Sequence, residues 1–200
     1  MASEAIPGKL CFVTTGATAP FTGLIESVLK PSSLDVLSEC GFTHVFVQFG
    51  SAKDIFEASA ATARAYLKQN EKHLVVDGMD FDSNGLIGQF TLVQETRGLV
   101  ISHAGSGTIL AALRFQIPLV VVPNRALLDN HQEELAVAME EANYLIRGDV
   151  ENLAPAIKAS EEFRDRMTQF PPITSGEHRH TKSFANVMDE TMGFTDFNTE

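Results

Sequence analysis

Short apolar runs rich in β-branched residues alternate with longer helical stretches, and this alternation constrains the fold more than any other feature of the chain. The runs occupy residues 10–13, 45–47, 74–76, 99–101 and 119–122. Runs of this length are typical of strands that are buried on both faces. The stretches between them predict helices at about 21–30, 33–40, 54–70, 85–96, 106–116 and 128–142. The alternation predicts an α/β fold with a Rossmann-like, doubly wound parallel sheet.

The chain has 200 residues, of which 44% are hydrophobic, enough for the core of one medium-sized domain. Its character changes after Gly148, where a polar helix near 150–167 leads into Pro171 and Pro172 and then a linker rich in Ser, Gly and His. We therefore expect a Rossmann-like domain over residues 1–148 and a C-terminal helical extension and tail over 149–200. Four apolar residues at helical spacing in the tail predict a face that packs on this domain or on a partner: Phe184, Val187, Met188 and Met192.

The net charge of −11 argues against binding nucleic acid or an anionic membrane through a broad basic surface. Only Cys11 and Cys40 are present, so we expect a reducing compartment and no disulfide framework. The N-terminus lacks the apolar stretch of a signal peptide, and no apolar run approaches the roughly 18 to 20 residues that span a bilayer. The sequence predicts a protein that is not secreted and that reaches a membrane only through a partner.

Ligands of open α/β sheets bind at the carboxyl ends of the strands, so the residues directly after each apolar run are the informative ones. The first such segment contains Thr15, Gly16, Ala17 and Thr18 and leads into a helix. Small residues there let backbone N–H groups approach a phosphate, and the helix N-terminus adds partial positive charge. The same segment is equally compatible with a tight turn that has hydroxyl caps.

The second segment follows the run at 99–101 and also leads into a helix. Its Gly105, Ser106, Gly107 and Thr108 suit a diphosphate, and Ser106 or Thr108 is expected to cap the helix when the site is empty. The segment is not a dinucleotide fingerprint, because Leu110 stands where the third glycine would be. The sequence also has no P-loop and no Gly-x-Ser-x-Gly motif.

His103 begins this second segment and has two interpretations. Its ring can donate a hydrogen bond to a phosphate or a sugar, or it can only tie two loops together. We favour the first interpretation, which makes His103 the catalytic candidate. The histidines of the chain do not have the spacing of a zinc site, so the sequence predicts neither a metal nor a cofactor.

The third segment contains Asp129, Asn130, His131 and Gln132, which place polar groups on one helical turn after the run at 119–122. Such a cluster suits the recognition of sugar hydroxyls, which need paired donors and acceptors. The alternative is a solvated first turn with Asp129 at the positive end of the helix dipole.

Taken together, these segments resemble the family of cytosolic catalytic subunits of the UDP-N-acetylglucosamine transferase that extends dolichyl-diphosphate-N-acetylglucosamine. The chain is also similar to the C-terminal, donor-binding half of the bacterial peptidoglycan N-acetylglucosaminyltransferase, which carries both halves of the GT-B fold in one chain. The resemblance implies a single donor-binding half of a GT-B glycosyltransferase. The residues that carry it are 12–18 with Phe21, 48–50, 100–110, 118–122 and 129–132.

The resemblance implies an inverting transfer that adds the second N-acetylglucosamine of the N-glycan precursor, with UDP as the leaving group. It implies that the loops of Gly16 and residues 105–108 hold the diphosphate, and that Asn130, His131 and Gln132 contact the donor sugar. The chain departs from the family at Ala111, where relatives carry an acidic residue that binds the ribose. No general base is evident in this chain, since the family's candidate lies in the acceptor half.

The resemblance further implies a heterodimer with a membrane-anchored, acceptor-binding subunit, at the cytosolic face of the endoplasmic reticulum. The apolar face of the tail is a candidate docking element for that subunit. One rival interpretation is a non-enzymatic regulatory module that binds a nucleotide sugar through the same loops. Another is a receiver-like signalling domain, which would need acidic residues where Thr14 and Thr15 stand.

Overall fold

The computed structural model describes residues 8–16, 20–83, 85–124 and 131–167. Within these ranges the strands are β1 (Lys9–Thr14), β2 (Phe42–Gln48), β3 (Val75–Met79), β4 (Leu99–Ser102), β5 (Leu119–Val121) and β6 (Ile146–Arg147). The helices are α1 (Thr22–Val28), α2 (Pro31–Glu39), α3 (Lys53–Gln69), α4 (Ile87–Glu95), α5 (Ser106–Arg114), α6 (His131–Glu141) and α7 (Ala154–Met167).

The six described strands form one sheet in the order β3-β2-β1-β4-β5-β6, and every described pair is parallel. The chain winds outward from β1 to β3, then returns to the other side of β1 and winds outward again. The loops after β1 and β4 therefore leave the sheet in opposite directions and open a crevice between them. The predicted α/β, Rossmann-like parallel sheet is confirmed.

Helices cover both faces of the sheet, so strands β1 to β5 each contribute alternate residues to two cores. On β1, Cys11 and Val13 face the core that contains α1, α2, α3 and α7. Leu10 and Phe12 face the core of α4, α5 and α6. Burial on both faces is the physical reason why the strands appear in the sequence as continuous apolar runs.

Helices α3 to α6 each end in a left-handed residue that is not glycine, namely Glu71, Arg97, Gln116 and Asn143. Paired backbone bonds close each end; after α4, for example, Gly98 N donates to Val93 O at 2.7 Å and Arg97 N to Gln94 O at 3.1 Å. This sharp reversal leads the chain directly into the next strand.

The predicted helices and the five predicted strands are all present, and the differences have local causes. β6 was not predicted, because two residues are too few to form an apolar run. α2 begins at Pro31 rather than residue 33, since proline is favoured at the first helical position. No described helix is both long and apolar enough to cross a bilayer.

In the predicted C-terminal extension, α7 is described and the tail from residue 168 lies outside the described residues. The apolar tail face at Phe184, Val187, Met188 and Met192 is therefore not described. Leu153, Ala156 and Ile157, at and within the start of α7, join the same core as α1, α2 and α3. The boundary at residue 148 stays a prediction.

A polar cluster joins α2 to α3 and to the segment before β3. Tyr66 Oη donates to both carboxylate oxygens of Asp35, at 2.8 and 2.9 Å, and Lys72 Nζ lies 2.8 Å from Asp35 Oδ1. The hydrogen bond from Lys72 lowers the pKa of Asp35, and that from Tyr66 acts in the same direction. The cluster therefore stabilises the fold only while Asp35 is ionised.

We expect the melting temperature to fall on acidification partly through this carboxyl. Its folded pKa lies below its ordinary value, so its contribution is present at neutral pH and is lost as the pH falls through the folded pKa. The Asp35→Asn variant should be less stable than wild type at pH 7 and should converge with it in acid. Glu57→Gln is the control, because its exposed pair with Lys53 contributes at most about 1 kcal/mol. Parallel melting profiles of Asp35→Asn and wild type against pH would contradict this role.

Candidate functional site

The carboxyl ends of β1 and β4 lie side by side, with Thr14 paired to Ser102. His103 N donates to Thr14 O at 3.4 Å, so the loops that follow the two strands start at the same level. The loop after β1 contains Thr15 and Gly16, and the segment after β4 contains residues 103–108. They meet at the crevice where the strand order reverses.

The ring of His103 lies between two glycines. A Cβ atom on Gly16 would lie 2.4 Å from His103 Cε1, and one on Gly105 would lie 2.4 Å from His103 Nε2. Both distances are shorter than any real contact, so neither position has room for a side chain. Gly16 also has a φ of +82°, in the left-handed region that favours glycine. The structure thus brings three of the predicted site residues together around one imidazole.

Burial lowers the pKa of His103, and the main-chain carbonyl of Thr14 acts more weakly in the opposite direction. His103 Nδ1 is buried and has no hydrogen-bond partner among the described residues. At neutral pH the ring is therefore uncharged, with one N–H donor and one acceptor nitrogen. It can donate to a phosphate or sugar oxygen, but it does not supply a fixed positive charge.

The N-terminus of α5 faces the same crevice, and no side-chain hydrogen bond caps it. The expectation that Ser106 or Thr108 caps this helix is wrong. Gly105, which has no side chain, takes the cap position, and both hydroxyl residues lie inside the first turn. Gly107 is exposed, with no atom within 4 Å of the place of a Cβ. An uncapped helix N-terminus with open space has the features of an anion site.

The loop after β1 is held by β2. Thr15 donates its N–H and its hydroxyl to Gln48 O, at 3.3 and 3.2 Å. Gly16 N donates to Thr14 Oγ1 at 3.3 Å, and Thr14 Oγ1 donates to Gln48 Oε1 at 2.5 Å. The hydroxyl of Thr15 thus bonds to the protein itself. Ala17 and Thr18 lie outside the described residues.

Beside the crevice, a cleft of about 490 Å³ opens at the carboxyl edge of the sheet. Its walls come from the N-terminus of α1, the segment after β5, the first turn of α6, and the end of β6 with the turn that leads to α7. A volume of this size suits a small-molecule ligand. The described lining residues are Pro20, Phe21, Thr22, Gly23, Val122, Pro123, Asn124, Glu133, Arg147, Gly148, Asp149, Val150 and Glu151.

The charges of the cleft favour a neutral, hydroxylated ligand over a phosphate. Glu133, Asp149 and Glu151 contribute carboxylates to its described lining, against the single guanidinium of Arg147. That guanidinium is already paired with Glu133 at 3.1 Å and with Glu140 at 3.0 Å. Carboxylates accept hydrogen bonds from hydroxyls but repel phosphate oxygens.

The third predicted segment adjoins this cleft. Gln132, in the first turn of α6, accepts a hydrogen bond at Oε1 from Asn124 N at 3.3 Å, and Asn124 lines the cleft. His131 begins α6, but its side chain, like all of Asn130, lies outside the described part of the chain. None of the described residues from 103 to 108 lines the cleft. The predicted residues thus divide between the crevice and the neighbouring cleft.

Sequence reasoning missed two groups of residues at this edge. Gln48 carries part of the resemblance but was given no role in the site, although it ends β2 and so lies at the ligand edge of the sheet. Arg147 and the turn that follows it, up to Glu151, had no sequence signal, because β6 has only two residues and forms no apolar run. Ala111, the position at which the resemblance implies an acidic residue, is partly buried against the core of α4, α5 and α6. Within the described ranges, no three His, Cys, Asp or Glu residues cluster as metal ligands would.

Residues 10–190 match the model of the glycosyltransferase family 28 C-terminal domain. The chain belongs to glycosyltransferase family 28. This family 28 chain is 39% identical to the UDP-N-acetylglucosamine transferase subunit ALG13 of Eremothecium gossypii, over 91% of this chain and 92% of the relative. It is 31% identical to the subunit of the same name from Saccharomyces cerevisiae, over 94% and 98%. The family recognised from the sequence is confirmed.

Two solved structures resemble this family 28 domain. An NMR solution structure of ALG13 superposes with a TM-score of 0.59 at 29% identity, covering 86% of this chain and 92% of that chain. The crystal structure of Acinetobacter baumannii MurG superposes with a TM-score of 0.55 at 14% identity, covering 82% of this chain and 46% of that chain. The second similarity shows a shared fold, in which this chain superposes on about half of the MurG chain.

The position of His103 between two glycines gives a stability prediction. A methyl group at Gly105 would overlap the imidazole ring of His103, and Gly16 on the other side leaves the ring no space to move. Gly105→Ala should therefore lower the free energy of unfolding by about 1–3 kcal/mol. Gly107→Ala, two residues away in open space, should be neutral or stabilise by up to about 1 kcal/mol. Denaturant unfolding measures both.

Removing the ring supplies the internal control. In the His103→Ala background the methyl group at Gly105 has space, so Gly105→Ala should cost much less there than in wild type. Equal stability of Gly105→Ala and Gly107→Ala would show that the ring does not lie between the two loops.

Proposed function

We propose that this chain is the donor-binding, catalytic subunit of an inverting UDP-N-acetylglucosamine transferase that adds the second N-acetylglucosamine to dolichyl-diphosphate-N-acetylglucosamine in N-glycan precursor synthesis. Family 28 membership and the similarity to UDP-N-acetylglucosamine transferase subunits support this assignment. The structural observation that carries it is the meeting of Gly16, His103 and the uncapped N-terminus of α5 at the point where the strand order reverses.

The donor diphosphate binds at this crevice. The backbone N–H groups of Ser106 and Gly107 bind its oxygens at the N-terminus of α5, between Gly105 and Thr108, whose own N–H groups bond to His103 O at 2.8 Å and to Gly105 O at 3.1 Å. The predicted loop of Thr15, Gly16, Ala17 and Thr18 completes the diphosphate site. As the bond from the sugar to the diphosphate breaks, negative charge grows on the leaving UDP. Oriented dipoles stabilise that charge without rearranging, which is this subunit's main contribution to the rate.

His103 assists the leaving group as a neutral hydrogen-bond donor. Burial keeps the imidazole uncharged at neutral pH, so it donates one N–H to a diphosphate or sugar oxygen and is not needed as a base. Its place between Gly16 and Gly105 puts that N–H within reach of both loops.

The N-acetylglucosamine ring of the donor binds in the cleft. Asn130, His131 and Gln132 are its predicted contacts to the ring hydroxyls, and the carboxylates of Asp149 and Glu151 in the cleft accept hydrogen bonds from these hydroxyls. The negative lining keeps the diphosphate out of the cleft and in the crevice. The two compartments thus separate the charged part of the donor from its neutral part.

The acceptor and the general base come from a partner. Neither residues 14–16 nor residues 102–108 include a carboxylate, so the crevice loops offer no base of that type to the attacking hydroxyl. A membrane-anchored, acceptor-binding subunit supplies both and holds this chain at the cytosolic face of the endoplasmic reticulum. The apolar tail face at residues 184–192 is its proposed docking element. Activity then requires the heterodimer.

The test is transfer from UDP-N-acetylglucosamine to dolichyl-diphosphate-N-acetylglucosamine, measured for this chain alone and with the membrane-anchored subunit. We expect turnover only with the pair. Gly107→Asp should raise the KM for the donor at least about tenfold, a loss of roughly 1.4 kcal/mol, because a carboxylate at the helix N-terminus repels the diphosphate. The same carboxylate should stabilise α5 by about 0.3–1 kcal/mol. Weaker donor binding would therefore accompany a more stable fold.

Gly107→Asn is the matched control, since it has the same shape without the charge, and its donor KM should stay near that of wild type. Equal donor KM values for the two variants would show that the diphosphate does not bind at the N-terminus of α5. A wild-type pair that binds UDP-N-acetylglucosamine but transfers nothing would favour the non-enzymatic regulatory module.

A further inference from the structure

The strongest group of interactions not used by the proposed mechanism centres on Gln48, the last residue of β2. Gln48 is 5% exposed, and its neighbours Thr14 and Thr15 are 0% and 3% exposed. Thr14 is paired with Gln48 in the register of β1 and β2. Three donors converge on this residue: the Thr14 hydroxyl, the Thr15 hydroxyl and the Thr15 N–H. Both donors of Thr15 bond to the main-chain oxygen of Gln48, and the Thr14 hydroxyl bonds to its side chain, so Gln48 anchors the loop that leaves β1.

The hydrogen bonds have a fixed direction. Thr14 Oγ1 donates its single proton to Gln48 Oε1 at 2.5 Å, so a lone pair of the same oxygen is left for Gly16 N–H. Gly16 N reaches that lone pair at 3.3 Å, which is long for a hydrogen bond. The N–H of Gly16 is therefore oriented by the protein but only weakly bonded. Because Thr14 is 0% exposed, this N–H points into the protein, and the bond holds the backbone of Gly16 against the end of β1.

We propose that Gln48 is a positioning residue for the donor: through the hydroxyl of Thr14 it fixes where the loop at Gly16 lies beside the diphosphate. This inference rests on the proposed function, since the diphosphate is that of UDP-N-acetylglucosamine. Gln48 acts through Thr14 and does not itself contact the donor. Because its carboxamide oxygen accepts the hydroxyl proton of Thr14, the hydroxyl oxygen faces Gly16. An apolar side chain at residue 48 cannot accept that proton.

The test compares Thr14→Val, which keeps the shape and removes the hydroxyl, with Thr14→Ser, which keeps the hydroxyl. UDP affinity of the full chain is measured by calorimetry, and donor KM and UDP inhibition are measured in the heterodimer. Thr14→Val should weaken UDP binding and raise the donor KM and the UDP inhibition constant together, each about tenfold, with the acceptor KM unchanged. Thr14→Ser should restore values near those of wild type.

Gln48→Met removes the carboxamide at similar volume and should have the same effect as Thr14→Val. The double variant should be no worse than either single one, because the Thr14 hydroxyl and the Gln48 carboxamide act as one unit. Ser33→Ala is the control for stability alone: it deletes a buried hydrogen bond of 2.8 Å to Ser27 O, within the α1–α2 region. It should lower the melting temperature and leave UDP affinity unchanged.

The outcomes separate this inference from the function on which it rests. UDP affinity unchanged in Thr14→Val and Gln48→Met would overturn the role of Gln48, as would equal losses in Thr14→Val and Thr14→Ser. A wild-type heterodimer without transfer activity would overturn the proposed function, while calorimetry still decides the role of Gln48 in UDP binding. Wild-type chain without measurable UDP affinity would overturn both.

Discussion

The parallel pairing of β1 with β4 is the constraint on which the rest of the site depends. These strands are neighbours in space although two other strands separate them along the chain, so their loops diverge and leave a crevice. The register that pairs Thr14 with Ser102 fixes the height of both loops and brings His103 against Gly16. The uncapped start of α5 and the hydrogen bonds to Gln48 both lie next to these paired strand ends.

The site combines two environments with opposite electrostatics. At the crevice, backbone N–H groups and a helix N-terminus offer partial positive charge without a lysine or arginine in residues 14–16 or 102–108. In the neighbouring cleft, carboxylates at Glu133, Asp149 and Glu151 outnumber the guanidinium of Arg147. A nucleotide sugar has the same division between a charged diphosphate and a neutral ring. A chain with a net charge of −11 can therefore bind an anion locally through dipoles.

Much of this could be predicted from the sequence, because strands buried on both faces produce continuous apolar runs and the loops after them mark the ligand edge. β6 escaped prediction, since Ile146 and Arg147 are too short a signal. The capping expectation for α5 was wrong because hydroxyl residues near a helix start favour a cap only when one of them occupies the cap position, which here belongs to Gly105. No local sequence pattern predicts the cleft. Its walls come from four segments that only the folded sheet brings together, and the anchoring by Gln48 likewise depends on strand register.

The most direct measurement is amide chemical-shift mapping of the full chain during titration with UDP and with UDP-N-acetylglucosamine. UDP should perturb the amides of Gly16 and of residues 103–108, where the diphosphate is proposed to bind. The sugar nucleotide should perturb these amides and also those of Asn124, Asp149 and Glu151 around the cleft. Perturbations confined to residues outside 14–18, 103–108 and 129–132 would contradict the assignment of the donor site to the edge where β1 and β4 meet.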